Sequence, residues 1–151
     1  MFDWPTFVLQ RRINEPIAAV EQVVCDPTVL RAGTIFDLGA DGVVARLDAP
    51  FGVTFPPFGL DGASWVAPAS AVSRRGRIRM RFVLEINAWD QNSTELLLRP
   101  LARHPYRWGG RRLRQYFRLA HSTADALTQL LGSRAAFRVV PTDRRTPVLI
   151  V

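Results

Sequence analysis

Between Arg75 and Asn87 the residue types alternate with a period of two. The odd-numbered positions are Arg75, Arg77, Arg79, Arg81, Val83, Glu85 and Asn87; the even-numbered ones are Gly76, Ile78, Met80, Phe82, Leu84 and Ile86. Successive side chains of an extended chain point to opposite faces, so this stretch reads as a strand with one apolar and one arginine-rich face. Asp90 to Ser93 is turn-forming, and "STELLLRPLA" returns as the partner strand of a long antiparallel hairpin. Glu95 is placed to pair with an arginine across it, a contact worth less than about 1 kcal/mol if exposed. Any fold must cover the apolar face of this hairpin. Its arginine face is either solvated or grips an anion.

The natural cover is the last helix. From Trp108 to Leu131, the residues Leu113, Phe117, Ala120, Ala124, Leu127 and Leu131 recur at intervals of three and four, with Tyr116 and His121 on the flanks of this stripe. Gly132 reads as the residue that ends the helix. Ile78, Met80, Phe82 and Leu84, with Leu96 and Leu98 of the partner strand, then face Phe117, Ala120, Ala124 and Leu127. These are core residues on any reading. The small Ala120 and Ala124 leave room for a cavity, which the same residues would line. Tyr116 and His121 either hydrogen-bond a ligand or serve as general acids there, or stand at the boundary with their tips in water.

Ahead of the hairpin, "TFVLQRRI" (Thr6 to Ile13) reads as a first strand, and Pro16 opens a helix that buries Ile17, Val20 and Val24 before Asp26-Pro27 stops it. "TIFDLG" and "GVVARLD" form a meander, and Ser64 to Val72 is a strand that Pro68 restricts to an edge or a bulge. The aromatic, proline-rich segment Ala49 to Gly62 between them is a core-covering loop or a lid. Beyond the helix, Phe137 to Val140 and Val148 to Val151 are short extended pieces. They would add to a sheet edge, pack on the helix or pair with a second subunit to form a homodimer.

At 151 residues the chain suits one domain with a sizeable core. Apolar residues at 48% and charged residues at 22% exclude a disordered or fibrous chain. The formal charge of +7 points towards nucleic acid or an anionic membrane surface. All 20 basic residues, however, are arginine, a bias that a GC-rich coding sequence produces without selection for binding. Exposed aromatics interleaved with the arginines, which base stacking needs, are missing, so nucleic acid is not the expected partner. Cys25 is the single cysteine and reads as a small core residue, so no internal disulfide and no multi-cysteine metal site can form. His104 and His121 lack acidic neighbours at ligand spacing, and neither a metal nor another cofactor is implied. No apolar run is long enough to span a bilayer, and a cytoplasmic protein is expected. Four arginines, Arg107, Arg111, Arg112 and Arg114, crowd the start of the last helix, where the helix dipole favours negative charge.

The element order is a strand, short helices, a run of antiparallel strands and one long amphipathic helix. With "FVLQRRINEPIAAVEQVVCDP" at its start and "RWGGRRLRQYFRLAHSTADALTQLL" at its close, the chain resembles the START-like (SRPBCC) family, which includes polyketide cyclases and the Bet v 1 allergens. The resemblance covers about Thr6 to Ser133 and is architectural. It implies an α+β helix-grip fold, in which a curved antiparallel sheet wraps around the C-terminal helix over an apolar cavity. Residues 1–134 would form the ligand-binding domain and 135–151 an extension packing on it or on a second subunit. The expected function is binding of a lipid, polyketide or sterol-like molecule, with Met80, Phe82, Leu84, Leu96, Leu98, Tyr116, Phe117, Ala120, His121 and Ala124 as cavity candidates. An aromatase/cyclase enzyme on the same fold, using His121 and Tyr116 for proton transfer, and an anionic-surface or nucleic-acid binder using the arginine ladder are the rivals.

Overall fold

A computed structural model of the chain describes residues 4–5, 7–25, 35–37, 43–54, 64–102, 108–141 and 147–149. The strands are β1 (Trp4–Pro5), β2 (Leu9–Ile13), β3 (Ile35–Asp37), β4 (Val43–Leu47), β5 (Gly52–Thr54), β6 (Ser64–Ser73), β7 (Ile78–Ala88), β8 (Thr94–Ala102), β9 (Val139–Pro141) and β10 (Pro147–Leu149). The helices are α1 (Ile17–Val24) and α2 (Gly110–Arg138). An eight-stranded sheet runs in the order β1-β8-β7-β6-β4-β3, with β2 continuing beside β8 and β5 beside β6. Every pairing in it is antiparallel. The protein is thus α+β, an antiparallel sheet with a long C-terminal helix.

The alternation in β7 sets the two faces. Met80, Phe82, Leu84 and Ile86 are buried while Arg79 and Arg81 are exposed. Cross-strand register carries this pattern outwards: Leu84 stands opposite Ala67 and Leu98, and Leu98 opposite Leu9. The strand is shorter than the alternation suggested. Residues 74–76 form the β6–β7 turn, where Gly76 takes φ +84°, a conformation that side chains with a Cβ rarely adopt. Arg74 and Arg75 therefore belong to a turn, and Ile78, at the strand's first position, is 40% exposed.

Pro68 does not mark an edge. It lies inside β6, which pairs with β7 on one side and with β4 and β5 on the other. The Pro68 carbonyl accepts the Asp48 N–H at 2.9 Å. In a strand the N–H and C=O of one residue point the same way, so the missing donor falls where the partner changes from β4 to β5 and costs no ladder bond. The irregularity of β6 is at Ala71/Val72 instead.

At the other end of the hairpin, Asp90 organises the turn. Its Oδ1 accepts the Asn92 backbone N–H and the Ser93 hydroxyl, both at 2.8 Å, and its Oδ2 accepts from Arg12 at 3.1 Å. The Asn92 N–H foremost, then the Ser93 hydroxyl, with a smaller contribution from the Arg12 charge, hold this carboxyl below the usual carboxylate range. A depressed folded-state pKa contributes stability that is present above the unfolded value, near about 3.9, and is lost as pH falls through the folded value. Acid should therefore loosen this turn below about pH 4 and not above about pH 5. Asp90→Asn, which keeps an acceptor but does not titrate, should lose less stability across that window. Equal acid slopes for the two proteins would assign the effect to other groups.

The helices differ in detail from the sequence pattern. Pro16, with φ −64° and ψ 153°, is the residue before α1, which starts at Ile17 and buries Ala19, Val20, Val23 and Val24. Cys25 caps its end and is exposed, so the expectation of a core cysteine is corrected. Slight burial, then the nearby Glu21 charge, pushes the thiol up, away from a reactive thiolate. The last helix does not stop at Gly132. It runs on to Arg138, with Leu131 and Ala135 both buried. A Cβ on Gly132 would stand 3.3 Å from Ile13 Cγ2, so this glycine lets α2 close on β2. Beyond it, β9 and β10 pair with each other in a separate two-stranded sheet.

Candidate functional site

On α2 the buried residues are Tyr116, Ala120, Thr123, Ala124, Leu127, Leu131 and Ala135. The spacing is that expected of an apolar stripe, but it enters through Tyr116 and not through Leu113 and Phe117. Phe117 is 37% exposed and stacks at 4.3 Å on Phe7, which lies between β1 and β2. Tyr116 is 8% exposed and donates its hydroxyl to the Leu101 carbonyl at 2.6 Å. Its ring meets Trp108 edge-on at 4.8 Å. The boundary position with a wet hydroxyl is thereby corrected: the hydroxyl ties α2 to β8. Thr123, a buried polar residue within the stripe, satisfies its hydroxyl on the Leu119 carbonyl at 2.7 Å.

The ten expected cavity residues separate into three groups. Phe82, Leu84, Leu96, Leu98, Ala120 and Ala124 are all buried to within 1% and fill the core. The space expected beside Ala120 and Ala124 is occupied, both being 0% exposed. Phe117 and His121 lie on exposed flanks. His121 Nδ1 is 2.9 Å from Arg11 Nη2, and Arg11 Nε donates to Asp125 at 2.5 Å, a surface network that the helix pattern gave no hint of. Of the ten, only Met80 and Tyr116 line a groove.

The groove, of about 1120 Å³, lies between the first turns of α2 and the end of the sheet where β7 begins and β8 ends. Ile78, Met80, Ala102, Trp108, Tyr116 and Leu119 supply its apolar surface. Arg77, Arg79, Arg81, Arg111 and Arg112 border it, with Gln115, and no acidic side chain lines it among the described residues. Strand alternation turns Arg79 and Arg81 towards the opposite face of the sheet from Met80, so their backbone and stems form the border there. Arg111 and Arg112 come from the helical wall. The Arg112 guanidinium lies 4.5 Å from the centroid of the Trp108 ring, a cation–π position. The first turn of α2 holds no acidic residue to balance these charges. Arg107 and His104 lie outside the described residues.

The expected arginine–Glu95 pair is replaced. Glu95 accepts from Gln10 and, at 3.2 Å, from Asn87, and Arg99 pairs instead with Glu85 at 3.1 Å. Pattern reading also missed Trp108, Leu119 and Gln115 as groove residues. Leu119 is one residue off the buried stripe, and nothing in its neighbours marks it as more than a flank.

No family model and no curated protein sequence matches this chain. A crystal structure of a conserved protein from Geobacillus kaustophilus is similar over 82% of this chain and 93% of that one, at 11% identity and a TM-score of 0.38. A likeness at that level carries no conclusion about function. No helix among the described residues is long and apolar enough to cross a membrane.

Proposed function

We propose that the chain is a helix-grip protein of the START-like kind that binds a hydrophobic small molecule between the sheet and the C-terminal helix, in the groove at the start of α2. The observation that supports this reading is the groove itself. Ligand sites span about 300–1,000 Å³ and combine apolar walls with a few polar groups. This groove, at about 1120 Å³, is slightly larger and open, and Met80, Trp108, Tyr116 and Leu119 supply the apolar part of a lining that is otherwise polar. Binding is favoured over cyclase-type catalysis because the Tyr116 hydroxyl is committed to the Leu101 carbonyl and His121 sits on the surface with Arg11.

Freshly purified protein examined by native mass spectrometry should carry a co-purifying apolar molecule. In a second test, Gln115, exposed on the groove wall, is replaced by Trp to fill the space. Gln115→Trp should abolish fluorescence enhancement of the neutral apolar dye Nile red while changing stability by no more than about 0.5 kcal/mol. Undiminished dye binding in this variant would remove the groove from consideration.

A further inference from the structure

The charge around the groove is one-sided in a way that simple apolar binding does not require. Among the described residues, Arg77, Arg79, Arg111 and Arg112 make no ion pair, whereas Arg11, Arg12, Arg46 and Arg99 each have a carboxylate partner. Arg74, Arg75, Arg114 and Arg118, outside the groove's lining, show no ion pair either, so what sets the groove apart is a lining that gathers five arginines and no acidic side chain among the described residues. A cleft bordered by one sign of charge, with a low-dielectric apolar wall, concentrates its potential on whatever enters. Arg112 also lies over the Trp108 ring, which places a guanidinium beside the groove's aromatic wall.

Resting on the binding reading above, we propose that the ligand is an amphiphile with an oxyanion head, a carboxylate or a phosphate on an apolar body. The body lies on Met80, Tyr116 and Leu119, beside Trp108. Arg111 and Arg112 hold the head. A guanidinium offers parallel N–H donors that match two oxygens of one oxyanion, and such charge-assisted bonds are about twice as strong as neutral ones. A neutral head of equal size would leave the arginines without a partner.

The test uses the full chain and three soluble probes below their micelle concentrations: dodecanoate, dodecyl phosphate and dodecanol, each displacing Nile red. The anionic probes should bind about tenfold or more tighter than dodecanol. The double variant Arg111→Gln/Arg112→Gln should erase that preference, read as the ratio of anionic-probe to dodecanol affinity in the same protein. Both arginines are exposed, and an unchanged circular dichroism spectrum and melting midpoint verify the fold. Arg111→Lys/Arg112→Lys, which keeps the charge but not the paired donors, should retain part of the preference. Equal affinity of all three probes for the unaltered protein would overturn the oxyanion head and leave apolar binding standing. Failure of every probe, dodecanol included, would overturn both. Tight binding to phosphatidylglycerol vesicles or to a single-stranded oligonucleotide, without binding of monomeric dodecanoate, would also overturn the proposal, since it would make the arginines a surface for membrane or nucleic acid.

Discussion

Truncating Phe82 to alanine should cost about 3–5 kcal/mol of unfolding free energy, and Arg79→Ala no more than about 0.5 kcal/mol. The two residues are three apart on one strand and differ only in the face they occupy. Phe82 is 1% exposed at the middle of β7, opposite Ala69 on one neighbour and Pro100 on the other. The small Ala69 makes room for the ring, and the strands on both sides prevent the backbone from collapsing into the space that truncation leaves. The cavity contribution should therefore be near its full size. Arg79 is exposed and makes no ion pair among the described residues. Denaturant melts of both variants give the comparison, and equal losses would be incompatible with a sheet covered on one face.

Much of this was legible in the residues because it depends on local period. The alternation of β7, the return of β8 and the meander of β3 and β4 all follow from which side of a strand a residue occupies. What local pattern could not supply were choices made by partners far along the chain. Gly132 has the chemistry of a helix-ending residue, yet its role is set by Ile13, which needs a neighbour without a Cβ. Tyr116 and Phe117 fit the α2 stripe about equally well. Phe7 stacks on the second, and the Leu101 carbonyl accepts from the first. The groove is illegible for the same reason: its walls come from β7, β8 and α2, and none of these marks the opening by itself. The excess of arginine was visible, and the gathering of five of them around one groove was not.

Ala124 is where the sequence and the folded chain differ most in what they predict. Two alanines at the centre of a helix that faces a sheet suggest an opening, and a leucine placed in an opening would block a ligand without unfolding the protein. The folded chain leaves Ala124 fully buried, with Ala120 and Leu127 equally enclosed on the same helix face. Side-chain size here sets how closely α2 approaches the sheet, as the bare Cα of Gly132 does nearer the end of the helix. An added isobutyl group must then push α2 away or force neighbours out of their rotamers, at about 1–3 kcal/mol. Ala124→Leu should accordingly lower the melting midpoint while retaining Nile red binding below it, because the groove lies two helical turns nearer the start of α2, around Tyr116. Gln115→Trp should do the opposite, keeping the midpoint and losing the dye. If Ala124→Leu instead kept its stability and lost the dye, the ligand would reach the centre of the helix, and the site would extend beneath α2 from the groove at its start.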